Sequence, residues 1–247
     1  MNDTAQAWLD FDIRNDPAFE NVIKPFIENQ LKELELYDRK RLDRNPDIQY
    51  IFHKHAYDVS NDVRKTAAHL GQPDHVQEAL YWAMLAHDIG KRMVPVDAWD
   101  KPGKPTPEEK ALTRQHPDLG LALLDEHLGD LDHPFVDLMR DVIKYHHAHM
   151  DGSGTPTGVT GDMLSKPVRL CAIVEAFDGY TKPRPDRPTP RSAAEALDKM
   201  HNDPDKGARM YDMELLTAFT SVKLDTPSGN APTPHKPSTR AVNVGSV

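Results

Sequence analysis

The sequence predicts an all-α fold, and three observations carry that expectation. Apolar residues recur at helical spacing from about Pro17 to Lys223, and no stretch alternates as a strand for long. Helix-start signals stand where periodic segments begin: Asp16-Pro17, Thr106-Pro107-Glu108-Glu109, Pro134 and Pro167. A stop signal, Gly71, stands where one of them ends.

In chain order, Asp16-Pro17 opens a first helix with Phe19, Ile23, Phe26, Ile27, Leu31 and Leu34 on one face, and Pro25 should kink or interrupt it. A second carries Ile48, Phe52, His55, Val59, Val63, Ala67 and Leu70. A third opens after Pro73-Asp74 with Val76, Leu80, Ala83 and Met84 and runs into His87. The capping box at Thr106 starts a helix expected to continue through Leu112, His116, Leu119 and Leu123. Pro134 opens another, with Phe135, Met139, Val142, Ile143 and His146 in register. Pro167 opens the next, with Val168, Cys171, Val174, Glu175 and Asp178. Two shorter helices, near Ser192 to Met200 and Tyr211 to Val222, close the domain. Beyond Lys223 the chain is rich in Pro, Ser, Thr, Gly and Asn and reads as a disordered tail. The expected organisation is an N-terminal helical extension over 1–45, a main domain over 46–223 and the tail over 224–247.

The chain has 247 residues, 38% hydrophobic and 28% charged, enough for one large domain with a full core. A net charge of -9 argues against non-specific nucleic-acid binding and against anionic membrane, while leaving room for a local basic patch. No apolar run reaches the length of a membrane span, and Met1 to Arg14 has no signal-peptide core. The single Cys171 has no partner for an internal disulfide, so a cytoplasmic setting is expected. The unusual number is 13 His, about twice the average usage.

A lone histidine on an apolar helix face is more often a satisfied core residue than a ligand. Here the pattern recurs on four helices. His55 sits between Phe52 and Val59, and His116 between Leu112 and Leu119. His87-Asp88 ends one helix, and His146-His147 ends another after Val142 and Ile143. Imidazoles and carboxylates converging inside a helical bundle are how such folds hold transition metals. His69, His75, His127, His133 and His201 fit surfaces or turns, His235 is in the tail, and His53 and His149 each lie beside a candidate ligand.

Ala86-His87-Asp88-Ile89-Gly90-Lys91 resembles the HDxGK signature of HD-domain phosphohydrolases. The resemblance to the HD-GYP subgroup covers roughly Tyr50 to Phe219. It rests on His55, Lys101-Pro102-Gly103, Thr106 to Glu109, His116-Pro117 with Gly120, His146-His147 and Asp151-Gly152-Ser153-Gly154. The pair alone is a weak motif; the ordered set is specific. It implies an HD-domain helical bundle in which His55, His87, Asp88, His116, His146 and His147 are metal ligands. It also implies that Lys91 works beside the phosphate, with Asp88, in catalysis. Glu175 stands where the subgroup has a ligand aspartate, one methylene longer, and Asp178 would hold a ligand or Lys91 from behind. Ile51 replaces a glutamate that trinuclear members carry, so two divalent metals are expected, with iron or manganese suited to the donors. Gly154-Thr155-Pro156 replaces Gly-Tyr-Pro in a loop that the subgroup links to partner binding, which bears on any signalling partner. Arg184 and Arg187, helped by Lys182, fall where the subgroup grips the phosphates of cyclic di-GMP.

The function these features imply is hydrolysis of a cyclic dinucleotide by a two-metal-activated water. Three rivals stand beside it. They are another HD-type phosphohydrolase acting on a nucleotide or phosphomonoester, a di-iron oxygenase on the same scaffold, and a non-catalytic cyclic di-GMP binder. Glu175 and Thr155 favour the binder; the otherwise complete ligand set opposes it.

Overall fold

A computed structural model describes residues 8–101, 103–183, 189–205 and 207–225. The helices, in order, are α1 (Lys24–Arg44), α2 (Phe52–His69), α3 (Asp74–Leu85), α4 (Asp97–Asp100), α5 (Pro107–Thr113), α6 (His116–Leu128), α7 (Pro134–Tyr145), α8 (Lys166–Thr181), α9 (Ala193–Asn202), α10 (Gly207–Met210) and α11 (Met213–Asp225). Among the described residues there is no strand, only isolated bridges joining His147 to Thr155 and Asp151 to Thr160. The all-helical expectation stands.

Pro25 does interrupt the first helical segment. A π turn over Phe19–Ile23 precedes α1, and the Lys24 N–H reaches back to the Phe19 carbonyl. Pro25 follows that turn directly, in the first turn of α1, so the π turn accommodates its missing N–H within an otherwise helical path. The residues set apart as an extension belong to the same core as the rest. Phe19, Ile23, Ile27 and Leu31 pack with Val59, Leu80, Leu124 and Phe135.

α2 begins at Phe52, so Ile48 lies in the preceding segment rather than on the helix. Its first N–H groups have no cap from Ile51. Instead Asp38 of α1 accepts from the backbone of Phe52 at 3.1 Å and of His53 at 2.8 Å. Asp38 is itself fixed by buried Arg41 at 2.6 Å. One helix therefore supplies the cap of the next. α2 stops before Gly71, whose φ of 71° lies in the left-handed region.

The helix expected to run unbroken from Thr106 through Leu123 is two helices, α5 and α6, with the break at Arg114 and Gln115. The capping box at Thr106 and Glu109 is formed as expected. Pro117 explains the break, because it has no N–H for the Thr113 carbonyl and its ring crowds that turn. α8 is buried along most of its length, from Pro167 to Asp178, and so runs through the middle of the domain. α11 runs to Asp225, just past the expected end, and the expected tail otherwise lies outside the described residues.

Candidate metal centre

Five helices and their ends aim side chains at one point. His55 comes from the second turn of α2, His87 and Asp88 follow α3, and His116 begins α6. His146 and His147 follow α7, and Glu175 comes from α8. His87, His146 and Asp88 are fully buried, and His55, His116 and Glu175 nearly so.

Close backbone approaches set this convergence. The turn over Ile89–Met93 crosses α6 at Gly90 and Gly120, and a Cβ on Gly90 would collide with the His116 carbonyl and the Gly120 N–H. The glycine thus lets the His87-Asp88 segment and His116 share one wall. In the loop after α7, a Cβ on Gly154 would lie 2.5 Å from the His147 carbonyl, so Gly154 lets that loop fold back on the His pair.

The imidazoles are oriented from behind. His87 Nδ1 donates to the Met84 carbonyl at 2.6 Å, His116 Nδ1 to Thr113 at 2.7 Å and His146 Nδ1 to Val142 at 3.1 Å. His55 Nδ1 lies 2.9 Å from Asp178 Oδ2. A proton held on Nδ1 leaves the Nε2 lone pair facing inward. Nε2 of His55 lies 3.2 Å from that of His87, and Nε2 of His116 lies 3.1 Å from that of His146.

The donors divide into two triads, His55–His87–Glu175 and His116–His146–His147, each with ligand atoms within 4.8 Å of one another. Asp88 stands between them. Its Oδ2 is 3.3 Å from His55 Nε2 and 3.1 Å from His87 Nε2; its Oδ1 is 3.2 Å from His116 Nε2 and 3.7 Å from His146 Nε2. Glu175 Oε2 lies 3.1 Å from His55 Nε2 and 3.4 Å from His87 Nε2.

The electrostatics follow from burial and proximity. Burial opposes charge on His55, but Glu175, Asp178 and Asp88 outweigh it and hold the imidazole's pKa well above the usual range. Burial also opposes charge on His87, and Asp88 and Glu175 raise its pKa. Desolvation would lift the Asp88 and Glu175 carboxyls, yet the surrounding cations, His87 and Lys91 for Asp88 and His55 for Glu175, hold both well below it. Burial and neighbouring imidazoles push His146 well below its usual value; burial, with His116 adding, takes His147 to about 3. Neutral imidazoles and ionised carboxylates are the forms that ligate cations. His146, His147, Asp88 and Glu175 therefore stand in the ligating form, whereas His55 and His87 would give up a proton to a bound cation.

The residues fit a cation pair. Asp88 Oδ1 and Glu175 Oε2 are buried without a hydrogen-bond partner, and Asp88 Oδ2 has only its ion pair with Lys91, a costly arrangement that further positive charge would relieve. Imidazole and carboxylate donors in two adjoining sets are suitable ligands for divalent transition metals.

Lys91 is buried beside this centre and paired to Asp88 Oδ2. Three rings surround its ammonium: Phe52 at 4.9 Å, Tyr50 at 5.6 Å and Trp99 at 5.7 Å. Asp178 faces His55 and also accepts from the Tyr50 hydroxyl at 3.3 Å. Lys182 is half-buried, with its ammonium 3.3 Å from Asp58 and 3.8 Å from Asp178. Arg184 and Arg187 lie outside the described residues.

Of the ambiguous histidines, His53 joins the capping carboxylate of Asp38 at 3.0 Å and His149 faces Ser153 Oγ at 3.0 Å; neither is in a triad. Sequence reasoning missed the aromatic surround of Lys91. Tyr50, Phe52 and Trp99 do not share one helical register with the lysine, so periodicity gives no sign of it.

A family model described as HD domain matches residues 22–215. The chain belongs to the HD domain family. This HD domain is 37% identical over 170 residues to a cyclic di-GMP phosphodiesterase from Pseudomonas aeruginosa, covering 64% of this chain and 39% of that protein. It is 31% identical over 166 residues to a 3'3'-cGAMP-specific phosphodiesterase from Vibrio cholerae, covering 66% of this chain and 37% of that protein. The chain thus spans about two fifths of the length of these relatives. Among solved structures, the phosphodiesterase PgpH HD domain of L. monocytogenes, in complex with cyclic-di-AMP, covers 83% of this chain and 99% of its own. Its TM-score is 0.51 at 12% identity, a likeness of fold.

Proposed function

We propose that this HD domain is a metal-dependent phosphodiesterase that hydrolyses a cyclic dinucleotide, cyclic di-GMP first among them. The observation that carries the reading is Asp88, one carboxylate with an oxygen toward each of two imidazole-bearing triads. Its relatives named for cyclic di-GMP and 3'3'-cGAMP hydrolysis support the substrate class.

Two divalent cations would be held by His55, His87 and Glu175 on one side, by His116, His146 and His147 on the other, and by Asp88 between. Iron or manganese suits these donors. When bound, such a pair supplies hydroxide near neutral pH and neutralises charge on the phosphate. The protein's part is to hold the imidazoles of His87, His116 and His146 with Nδ1–H toward the Met84, Thr113 and Val142 carbonyls, so that their Nε2 atoms are aimed in advance. Asp178 would orient His55. Lys91, poised in its aromatic surround, would offset charge that develops on the phosphate oxygens. Lys182, Arg184 and Arg187 would grip the second phosphate of the substrate.

We read the setting as cytoplasmic, on the single, buried Cys171, with a signalling protein as the partner of the Gly154-Thr155-Pro156 loop. Among the described residues no helix is long and apolar enough to cross a membrane.

The test compares metal-loaded with chelator-stripped protein on cyclic di-GMP, following linear or mononucleotide product. Turnover only in the loaded protein is expected. Tight binding without turnover, with either iron or manganese present, would make the domain a receptor instead.

A further inference from the structure

A pocket of about 400 Å³ opens beside the metal centre, bounded by the end of α1, the segment leading into α2, and α4 with the loop after it. Lys91 and Tyr50, which also stand beside Asp88 and Asp178 of the metal centre, line it. The half-buried Trp99 lines it as well, together with Asn45 and Gln49 from the segment leading into α2. The volume suits a small organic ligand.

Trp99 is held in place on three sides. Its indole N–H donates to the Lys91 carbonyl at 3.3 Å, and its ring meets Phe52 edge-on at 5.1 Å. The next residue, Asp100, takes two hydrogen bonds from buried Arg41, at 2.8 and 2.6 Å. The same ring lies 5.9 Å from His116, so a group stacked on it would sit next to the metal centre. An indole fixed in advance, amide-bearing side chains and a lysine ammonium around one pocket match the parts of a nucleotide: ring, hydrogen-bonding edge and phosphate.

We infer that this pocket is a nucleobase subsite, with the Trp99 indole as its stacking wall; the inference rests on the phosphodiesterase reading. Arg41, through Asp100, is the positioning residue for that wall.

The experiment titrates the full chain with GMP, which carries a base, and with ribose 5-phosphate, which does not, by calorimetry and by tryptophan emission. Trp8 and Trp82 pack against the main core, so quenching by GMP would report Trp99. Trp99→Leu keeps apolar bulk without the ring and should weaken GMP binding about tenfold or more, while Trp99→Phe stays within about threefold. Ribose 5-phosphate should bind all three proteins alike. Wild-type emission unaffected by saturating GMP, equal GMP affinity in Trp99→Leu, or an equal loss for ribose 5-phosphate would each overturn the subsite. Cyclic di-GMP turnover, measured separately, keeps the two ideas apart. Trp99-dependent GMP binding without turnover sinks the phosphodiesterase reading and leaves the subsite; turnover with Trp99-independent binding does the reverse.

Discussion

The Thr113 carbonyl accepts the Nδ1 proton of His116 at 2.7 Å, and it is free to do so because Pro117, four residues on, has no N–H to offer it. The proline that breaks α5 from α6 therefore also fixes the tautomer of His116. Pro117→Ala would restore a competing N–H and let the two helices join. Metal affinity, measured by chelator competition, should fall about tenfold, the usual effect of disturbing a ligand's supporting hydrogen bond. Unchanged affinity would show that the backbone contact does not orient His116.

Lys91 and Glu175 should separate charge stabilisation from ligation. Lys91→Ala is expected to keep its metal and lose about a hundredfold in kcat. Glu175→Ala should lose both metal and turnover, whereas Glu175→Asp should retain or raise activity. Metal analysis beside steady-state kinetics decides it. Loss of metal in Lys91→Ala would give the lysine a structural role.

Asp38 should make stability acid-sensitive. Burial would raise its pKa, but His53, the backbone of Phe52 and His53, and Arg41 hold it below the usual carboxylate value. A depressed folded pKa gives stabilisation that is present above the unfolded value near 3.8 and lost as pH falls through the folded one. Asp38→Asn should cost about 3 kcal/mol in urea unfolding at pH 7, since it breaks a buried pair. That cost should shrink below pH 4. An equal cost at pH 7 and pH 3 would rule out the ionised cap.

Gly90→Ala should be disruptive although the change is one methyl. The added carbon meets backbone of His116 and Gly120, which has no rotamer to move. A loss of about 1–3 kcal/mol is expected, with weakened metal binding because His116 shifts. Thermal unfolding with and without metal would register both effects.

Much of this was legible in the sequence, for identifiable reasons. His55, His116 and His146 occupy apolar helix positions, and a periodic pattern exposes any polar residue that violates it. Asp16-Pro17, Thr106 and Pro134 carry their helix starts locally. What depends on contacts between distant segments was not visible. Asp38 capping α2, Arg41 holding Asp100, and Trp99 closing over Lys91 all join residues that no local pattern relates. The break at Pro117 was the exception. Its signal stood in the sequence, but the apolar period through Leu112, His116 and Leu119 outweighed it.

In the proposed function Asp88 joins the two triads into one two-metal site. Elemental analysis of carefully loaded protein tests it most directly, run on wild type, Asp88→Ala, and His127→Ala as an exposed control. About two metals per chain are expected in wild type and His127→Ala, with both depleted in Asp88→Ala. A wild-type value near one or three, or an Asp88→Ala protein that keeps its full complement, would contradict it.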